Sequence, residues 1–307
     1  MKKEVSEKIK ALRFASQLVG RRILAGSFSS MFLGEGYEFH SSRKYSIEDD
    51  GRAIDWNVSA RMNTPFVKTY KQDRNINIFL CIDFSRSMNS CYNGIMLKDI
   101  AKELSYIFSL FSLNNSIPAG CLYFSANSFN IVLPSTSRYC IFNMLERIEK
   151  EDFNQGFFTK RNFATDSLSS QGGTPLLEAI QKVEALLSSR SLIFILSDFN
   201  VVGYQRTLSS LAFRHDVVAI RLVNDSSFGL KKMGTILFHD YESSFSSIVN
   251  TSSNNFSEKQ KDDFILELDE WKQFCLSSRL HPLIINSSDD IVKSLSRFFA
   301  SYKSYNR

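Results

Sequence analysis

Long hydrophobic runs are missing from this sequence. The longest apolar stretches span about five or six residues, far short of the ~18 that a membrane-spanning helix requires, so no transmembrane segment is expected. The N-terminus, Met1-Lys2-Lys3-Glu4-Val5-Ser6-Glu7-Lys8, continues into Ile9-Lys10-Ala11-Leu12-Arg13. Charges there interrupt any apolar core of the kind a secretory signal needs, and the protein is predicted to be cytoplasmic with no membrane insertion.

Signatures of catalysis are also missing. The chain lacks G-x-x-x-x-G-K-[ST], G-x-G-x-x-G, H-E-x-x-H and G-x-S-x-G, which removes the commonest nucleotide, zinc-protease and serine-hydrolase classes. Its four histidines, at 40, 215, 239 and 281, show no ligand or acid/base spacing and read as surface or hydrogen-bonded residues. Five cysteines, at 81, 91, 121, 140 and 275, form no C-x-x-C pair. Cys81, Cys121 and Cys275 sit within apolar patterns, so reduced structural thiols are expected. No internal repeat or low-complexity tract is evident beyond an enrichment in serine.

Charge is nearly balanced. The net charge of +5 lies in residues 1–75, where fourteen basic residues stand against nine acidic ones. The basic residues alternate with Glu35, Glu38, Glu48, Asp49, Asp50 and Asp55 and form no block, which favours a solvated, internally paired face over a nucleic-acid patch.

What is present is enough apolar material for a large core: 43% of 307 residues, including 27 Phe. From residue 76 onward, strand-like and helix-like segments alternate, the pattern of a parallel sheet wrapped by helices. Strands are predicted over Ile76–Ile82, Ser191–Asp198, Val217–Val223 and Pro282–Ile285. Ala119–Phe124 and Phe129–Leu133 read as a hairpin that adds an antiparallel edge. Helices are predicted over Leu97–Leu113, Arg138–Glu149, from Pro175, over Gln205–Phe213, Phe256–Leu276 and Ile291–Tyr302. The polar segment from Asn154 to Gln171 reads as a loop, and Thr235–Phe238 as a β excursion.

The residues richest in chemistry stand at element ends. Asp83-Phe84-Ser85-Arg86-Ser87 ends the apolar run Ile78–Ile82, Gly172-Gly173-Thr174-Pro175 opens a helical pattern, and Asp198 ends the run that starts at Ser191. Open α/β sheets bind ligands at the carboxyl ends of their strands. Asp, Ser and Thr supply the hard, short oxygen ligands that Mg²⁺ takes at roughly 2.0–2.1 Å. In isolation, the Asp83 to Ser87 string reads equally as an Asx-turn or helix cap, and Thr174 as a cap before Pro175. The paired glycines before Thr174 suit a close approach of backbone to an ion better than a cap alone.

Asp-x-Ser-x-Ser, then Thr after two glycines, then a strand-terminal Asp, in this order, resemble the metal-ion-dependent adhesion site of von Willebrand factor A domains. The resemblance implies a Mg²⁺ (or Mn²⁺) site made by Asp83, Ser85, Ser87, Thr174 and Asp198. In such sites the first Asp and the two Ser approach the ion directly or through water, the Thr moves in or out, and the distal Asp holds coordinated waters. With two carboxylates nearby, the ion keeps positive character and would attract the Asp or Glu of a partner. Met88, between polar neighbours, is expected to plug the core beneath.

A second string stands upstream: Gly34-Glu35-Gly36-Tyr37-Glu38-Phe39, Arg43-Lys44-Tyr45, Asp49-Asp50-Gly51-Arg52, Ile54-Asp55-Trp56-Asn57, Ala60-Arg61 and Val67-Lys68. Together with Asp83 to Met88 it resembles the bacterial domain-of-unknown-function family DUF58, over about residues 20–300. Two positions depart from the family pattern: Glu48 replaces a usual Gly, and no Asp-Pro-x-Glu follows Val223. The resemblance implies an α/β, von Willebrand A-like (Rossmann-type) fold, with a mostly parallel central sheet flanked by helices, one antiparallel edge strand and a small N-terminal lobe. Residues 1–75 are expected to form the N-terminal helix and lobe, and residues 76–303 the von Willebrand A-like domain, with a β excursion at about 224–255. Many family members carry two membrane helices upstream; the chain is expected to be the short form without them.

The family resemblance also implies a non-catalytic interaction module, an adaptor for a MoxR-type AAA+ ATPase and its client. A metal-dependent hydrolase and a nucleic-acid binder acting through the basic N-terminal region are the alternatives, the first with no general base in view. In the lobe, Asp49, Asp50, Arg52, Asp55 and Arg61 alternate in sign around Ile54 and Trp56, which suggests an ion-pair network. Surface pairs contribute only about 0–1 kcal/mol each, so burial of Trp56 and Ile54 is expected to contribute more.

Overall fold

The computed structural model describes residues 38–46, 54–62, 64–71, 76–125, 128–154, 175–225, 235–239, 246–250 and 254–305. Its centre is a six-stranded sheet made by β3 (Asn77–Asp83), β6 (Ala119–Ser125), β7 (Ser128–Ser135), β8 (Ser191–Ser197), β9 (Asp216–Val223) and β12 (His281–Asn286), in the order β12-β9-β8-β3-β6-β7. All neighbours are parallel except β6 and β7, which pair antiparallel at one edge. This is the expected mostly parallel sheet with one antiparallel edge strand.

The apolar runs are continuous because both faces of a parallel sheet are covered by helices. Ile78, Leu80 and Ile82 of β3 pack on one side with α2 (Leu97–Asn114), α3 (Arg138–Asn154) and α7 (Ile291–Tyr305). Phe79 and Cys81 pack on the other side with α4 (Pro175–Leu186), α5 (Gln205–Arg214) and α6 (Asn254–Ser277). In-register neighbours on parallel strands share a face, so Ile193 and Ile195 of β8 and Val217 and Ala219 of β9 follow Phe79 and Cys81. The opposite face includes Phe108 of α2 stacked on Phe194 of β8, with ring centroids 3.9 Å apart.

Gly120 lets the edge strand close. A Cβ there would lie 2.7 Å from both Pro134 N and Val132 O, and the β6–β7 register shifts at this point. The hairpin that joins these strands is one residue tighter at each end than the sequence predicts, with Ser125 and Ser128 paired and their hydroxyls 2.7 Å apart.

A small hairpin of β4 (Cys91–Tyr92) and β5 (Ile95–Met96) follows β3, before α2. Asn93 and Gly94 both have positive φ, 51° and 82°, as a type I′ turn demands. A second pair, β10 (Thr235–His239) and β11 (Ser246–Asn250), completes the predicted β excursion with a strand that its Ser-rich sequence did not announce. The five cysteines are all free; Cys81, Cys121 and Cys275 are buried, Cys140 is half-buried and Cys91 is exposed. No helix among the described residues is long and apolar enough to cross a membrane.

Upstream, β1 (Glu38–Lys44) pairs antiparallel with β2 (Phe66–Lys71), and α1 (Trp56–Met62) lies between them in sequence. The expectation of a buried Trp56 is wrong: its side chain is 72% exposed. Asp55 is the buried residue instead, and its Oδ1 accepts the backbone N–H of Asn57 at 3.1 Å as the cap of α1. A seven-residue helix has room for one inward stripe, and that stripe excludes Trp56. Ile54 is half-buried and bridges Val67. Asp49, Asp50 and Arg52 lie outside the described residues.

Candidate metal centre

β3 reaches its site because the ladder continues one residue past the strand: Phe84 N–H donates to Phe124 O at 2.7 Å. The chain then leaves the sheet at Ser85 and makes one 3₁₀ turn over Arg86–Asn89. Met88, 1% exposed, points into the α2 side of the core, as expected of a plug. Anchored below by Met88, the loop holds the Ser85 and Ser87 hydroxyls 3.0 Å from each other.

Asp83 lies 4% exposed at the root of this loop. Its Oδ1 accepts the backbone N–H of Ser85 at 2.8 Å, which is the Asx-turn geometry the string permits. Its Oδ2 accepts the hydroxyl of Ser197 at 2.6 Å. Each carboxylate oxygen carries two lone pairs, so an Asx-turn and an ion are compatible roles for one side chain. Burial raises the Asp83 carboxyl from 3.8 to about 6; the nearby charge of Asp198 adds to the rise, and the hydrogen bonds from Ser197 and Ser85 oppose it.

The second loop repeats the device. Asp198, half-buried just beyond β8, accepts the backbone N–H of Asn200 on its Oδ1 at 3.2 Å. Between them Phe199 takes φ 52°, a left-handed conformation that costs of order 1–3 kcal/mol for a residue with a side chain. Two contacts hold it: its N–H donates to Ser197 Oγ at 3.1 Å, and its ring packs 5.5 Å from Tyr204 and 5.3 Å from Trp271. Ser197 therefore ties the two loops together, donating to Asp83 and accepting from Phe199. Ser197 is not among the residues that the sequence singles out for the site; Asp198, its neighbour, is. Strand alternation could have found it, because Ser197 follows Ile193 and Ile195 onto the face that Asp83 shares.

Thr174, with Gly172 and Gly173, lies outside the described residues. The next residue, Pro175, begins α4 on the face of the sheet that carries Asp83 and Ser197. α4 ends four residues before β8 starts and packs against β3 and β6, so its first turn lies toward the carboxyl ends of the strands. Of the five residues predicted to hold an ion, Asp83, Ser85 and Ser87 come together on one loop, and Asp198 is close enough to perturb Asp83.

Residues 41–263 match the family model described as "Protein of unknown function DUF58". The chain belongs to the DUF58 family. Uncharacterized protein Rv1480 of Mycobacterium tuberculosis (strain H37Rv) and Uncharacterized protein Mb1516 of Mycobacterium bovis are each 26% identical to it over 223 residues, 72% of this chain and 66% of theirs. The match thus spans just under two thirds of the length of these relatives. Among solved structures, BatB from Bacteroides thetaiotaomicron is 17% identical, covering 75% of this chain and 99% of that one, with a TM-score of 0.39. The SpRpn10 VWA domain is 12% identical, covering 72% and 93%, with a TM-score of 0.34.

The donor set of this DUF58 chain suits a small, hard dication. A buried carboxylate, two adjacent hydroxyls and a second carboxylate offer oxygen alone, and Mg²⁺ fills its remaining positions with water. The described residues bring no three His, Cys, Asp or Glu side chains together. Among the described residues the charge nearest in effect to Asp83 is that of Asp198, which adds to the upward push of burial on its carboxyl.

Proposed function

We propose that this DUF58 chain is a metal-ion-dependent protein-interaction module. Mg²⁺, or Mn²⁺, is held by Asp83, Ser85 and Ser87, with Thr174 and Asp198 acting directly or through water. The observation that carries this reading is the buried Asp83 carboxylate beside the paired Ser85 and Ser87 hydroxyls, at the carboxyl edge of a parallel sheet where ligands bind.

The ion would supply an electrophilic docking point for a carboxylate of the partner. The chain's own residues do the rest: Ser197 and the Ser85 amide orient Asp83, the 3₁₀ turn sets the hydroxyls, and the Asn200 amide orients Asp198. No histidine or further carboxylate stands among the named residues to move a proton, which favours docking over hydrolysis. The family resemblance points to a MoxR-type AAA+ ATPase, acting with its client, as the partner.

Titration calorimetry with Mg²⁺ tests the ion, with Asp83→Ala as the comparison. Binding that is unchanged in Asp83→Ala removes these residues from the mechanism. Affinity purification from native cells, with Mg²⁺ and again with a chelator, tests the partner: an ATPase retained only with the ion supports the reading, and an ATPase retained equally in both refutes ion-dependent docking.

A further inference from the structure

Ser90 is a node between the candidate centre and the rest of the sheet. Its backbone N–H donates to Ser87 O at 3.0 Å, which closes the 3₁₀ turn that carries Ser87. Its carbonyl accepts Leu97 N–H at 3.2 Å, which closes the base of the β4–β5 hairpin onto the start of α2. Its hydroxyl accepts a short hydrogen bond from Nδ2 of Asn224, the residue that follows β9.

Asn224 is an unusual residue for its position. It is 2% exposed, and its Oδ1 has no hydrogen-bond partner among the described residues. A buried amide with an unpaired acceptor is a poor choice for packing, since an apolar side chain of similar volume would avoid the loss. Among the described residues, its polar end holds Ser90. Strand β9 is buried on both faces, so Asn224 is a fixed point, whereas Ser90 is exposed and sits at a turn.

We infer that Asn224 is a positioning residue for the ion site. Its side-chain hydrogen bond among the described residues goes to Ser90, which is not one of the proposed ligands. It fixes Ser90, Ser90 fixes the backbone of Ser87, and Ser87 shares its hydroxyl contact with Ser85. Residues behind the ligands of a metal commonly change affinity 10- to 100-fold when removed. This inference rests on the ion reading above, and adds that the end of β9 sets the geometry of the loop that follows β3.

The test uses Mn²⁺ alone as the probe, followed by electron paramagnetic resonance of the free ion. The chains compared are the unsubstituted protein, Asn224→Ala, Ser90→Ala, the double variant and Asn286→Ala. Asn286 ends the neighbouring strand β12 and also has a buried Oδ1 without a hydrogen-bond partner among the described residues, and its backbone N–H donates to Asp289 and not to the Ser90 turn. Asn224→Ala and Ser90→Ala are each expected to weaken Mn²⁺ binding about 10- to 100-fold. The double variant is expected to lose no more than either single one, because both remove the same bond. Asn286→Ala is expected to bind as the unsubstituted chain does.

Amide hydrogen exchange without any ion supplies an independent readout: the Ser90 N–H exchanges faster in Asn224→Ala while the core amides of β3 and β8 do not. Equal Mn²⁺ affinity in the unsubstituted chain and in Asn224→Ala overturns this inference alone. An equal loss in Asn286→Ala also overturns it, by showing general loosening. Absence of Mn²⁺ binding by the unsubstituted chain overturns the ion reading and this inference with it. Should Asn224→Ala fail to fold, Ser90→Ala removes the same bond from the exposed side and decides the matter.

Discussion

The hydroxyl of Ser197 donates to Oδ2 of Asp83 across 2.6 Å, joining the ends of two adjacent parallel strands. The bond lies within the buried layer, where a charge-assisted contact is stronger than at the surface and its loss is costlier. Ser197→Ala removes the donor to Asp83 and also the acceptor for Phe199 N–H. A loss of about 1–3 kcal/mol in urea unfolding is expected. The Asp83 pKa should rise further, so Mg²⁺ affinity should fall more at pH 6.5 than at pH 8, where protons no longer compete. An equal loss at the two pH values would show that Ser197 acts by placement and not through the proton.

Asp83 makes the ion-free protein sensitive to pH in a defined direction. Its folded pKa of about 6 stands above the ordinary 3.8, so the folded chain holds this proton more tightly than the unfolded chain. The stabilising contribution is fully present below about pH 4 and is lost as pH rises through 6. Asp83→Asn cannot ionise. In chelator at pH 7.5 it should be more stable than the unsubstituted chain, by up to about 3 kcal/mol, and the advantage should vanish by pH 4. Added Mg²⁺ should stabilise the unsubstituted chain, increasingly with concentration, and leave Asp83→Asn unmoved. A variant less stable than its parent at pH 7.5 would contradict the burial argument.

His215 works in the opposite sense. It is buried, its Nδ1 accepts Ser191 N–H at 3.3 Å, and its Nε2 has no partner among the described residues. Burial lowers its pKa, and the adjacent Arg214 adds to this, while Glu184 and Asp216 oppose it. The unfolded chain therefore takes up this proton first, and stability is lost as pH falls below the ordinary histidine value of 6.5. His215→Gln, placed in the Asp83→Asn background to remove the opposing titration, should flatten the slope of stability between pH 7 and pH 5. An unchanged slope would assign the effect to His281, whose pKa is also lowered by burial.

Gly120 is the point at which the edge strand is most easily disturbed. Gly120→Ala would force its Cβ to within 2.7 Å of backbone atoms of β7, atoms that cannot swing aside as a side-chain tip can. A loss of about 1–3 kcal/mol is expected, typical of an overpacked site. Denaturant midpoints of the two chains check it, and a loss below about 0.5 kcal/mol would show that β7 can move away from β6.

The parallel strands were legible because burial on both faces writes them as unbroken apolar runs; Ile78–Ile82 and Leu192–Leu196 each lie within a strand, with errors of a residue at the ends. Asp83 and Asp198 stand out in the sequence because each carboxylate closes such a run, and both also make the Asx-type turns that this position allows. Ser197 was not legible, since a serine at a strand end is ordinary until the neighbouring strand is known, and register is a property of the assembled sheet. Trp56 misled for the reason that size is a prior for burial while a short helix has only one inward stripe. The Asn93-Gly94 hairpin was there to be read, as the two residues best suited to positive φ stand side by side, but its strands are two residues long and carry no period. Asn224 was beyond reach: its role depends on Ser90, 134 positions earlier.

Among the thiols, accessibility is distributed unevenly, and chemistry follows. Burial pushes Cys121 and Cys275 up to about 12 and Cys81 higher still, so none of the three supplies a reactive thiolate near neutral pH. Cys91 is open to reagents at the foot of the β4–β5 hairpin, next in sequence to Ser90. A maleimide dye should therefore attach there ahead of half-buried Cys140, leaving the fluorophore at the lip of the loop that Asn224 braces. The native chain thus brings its own optical reporter for ion titrations, with no engineered cysteine needed.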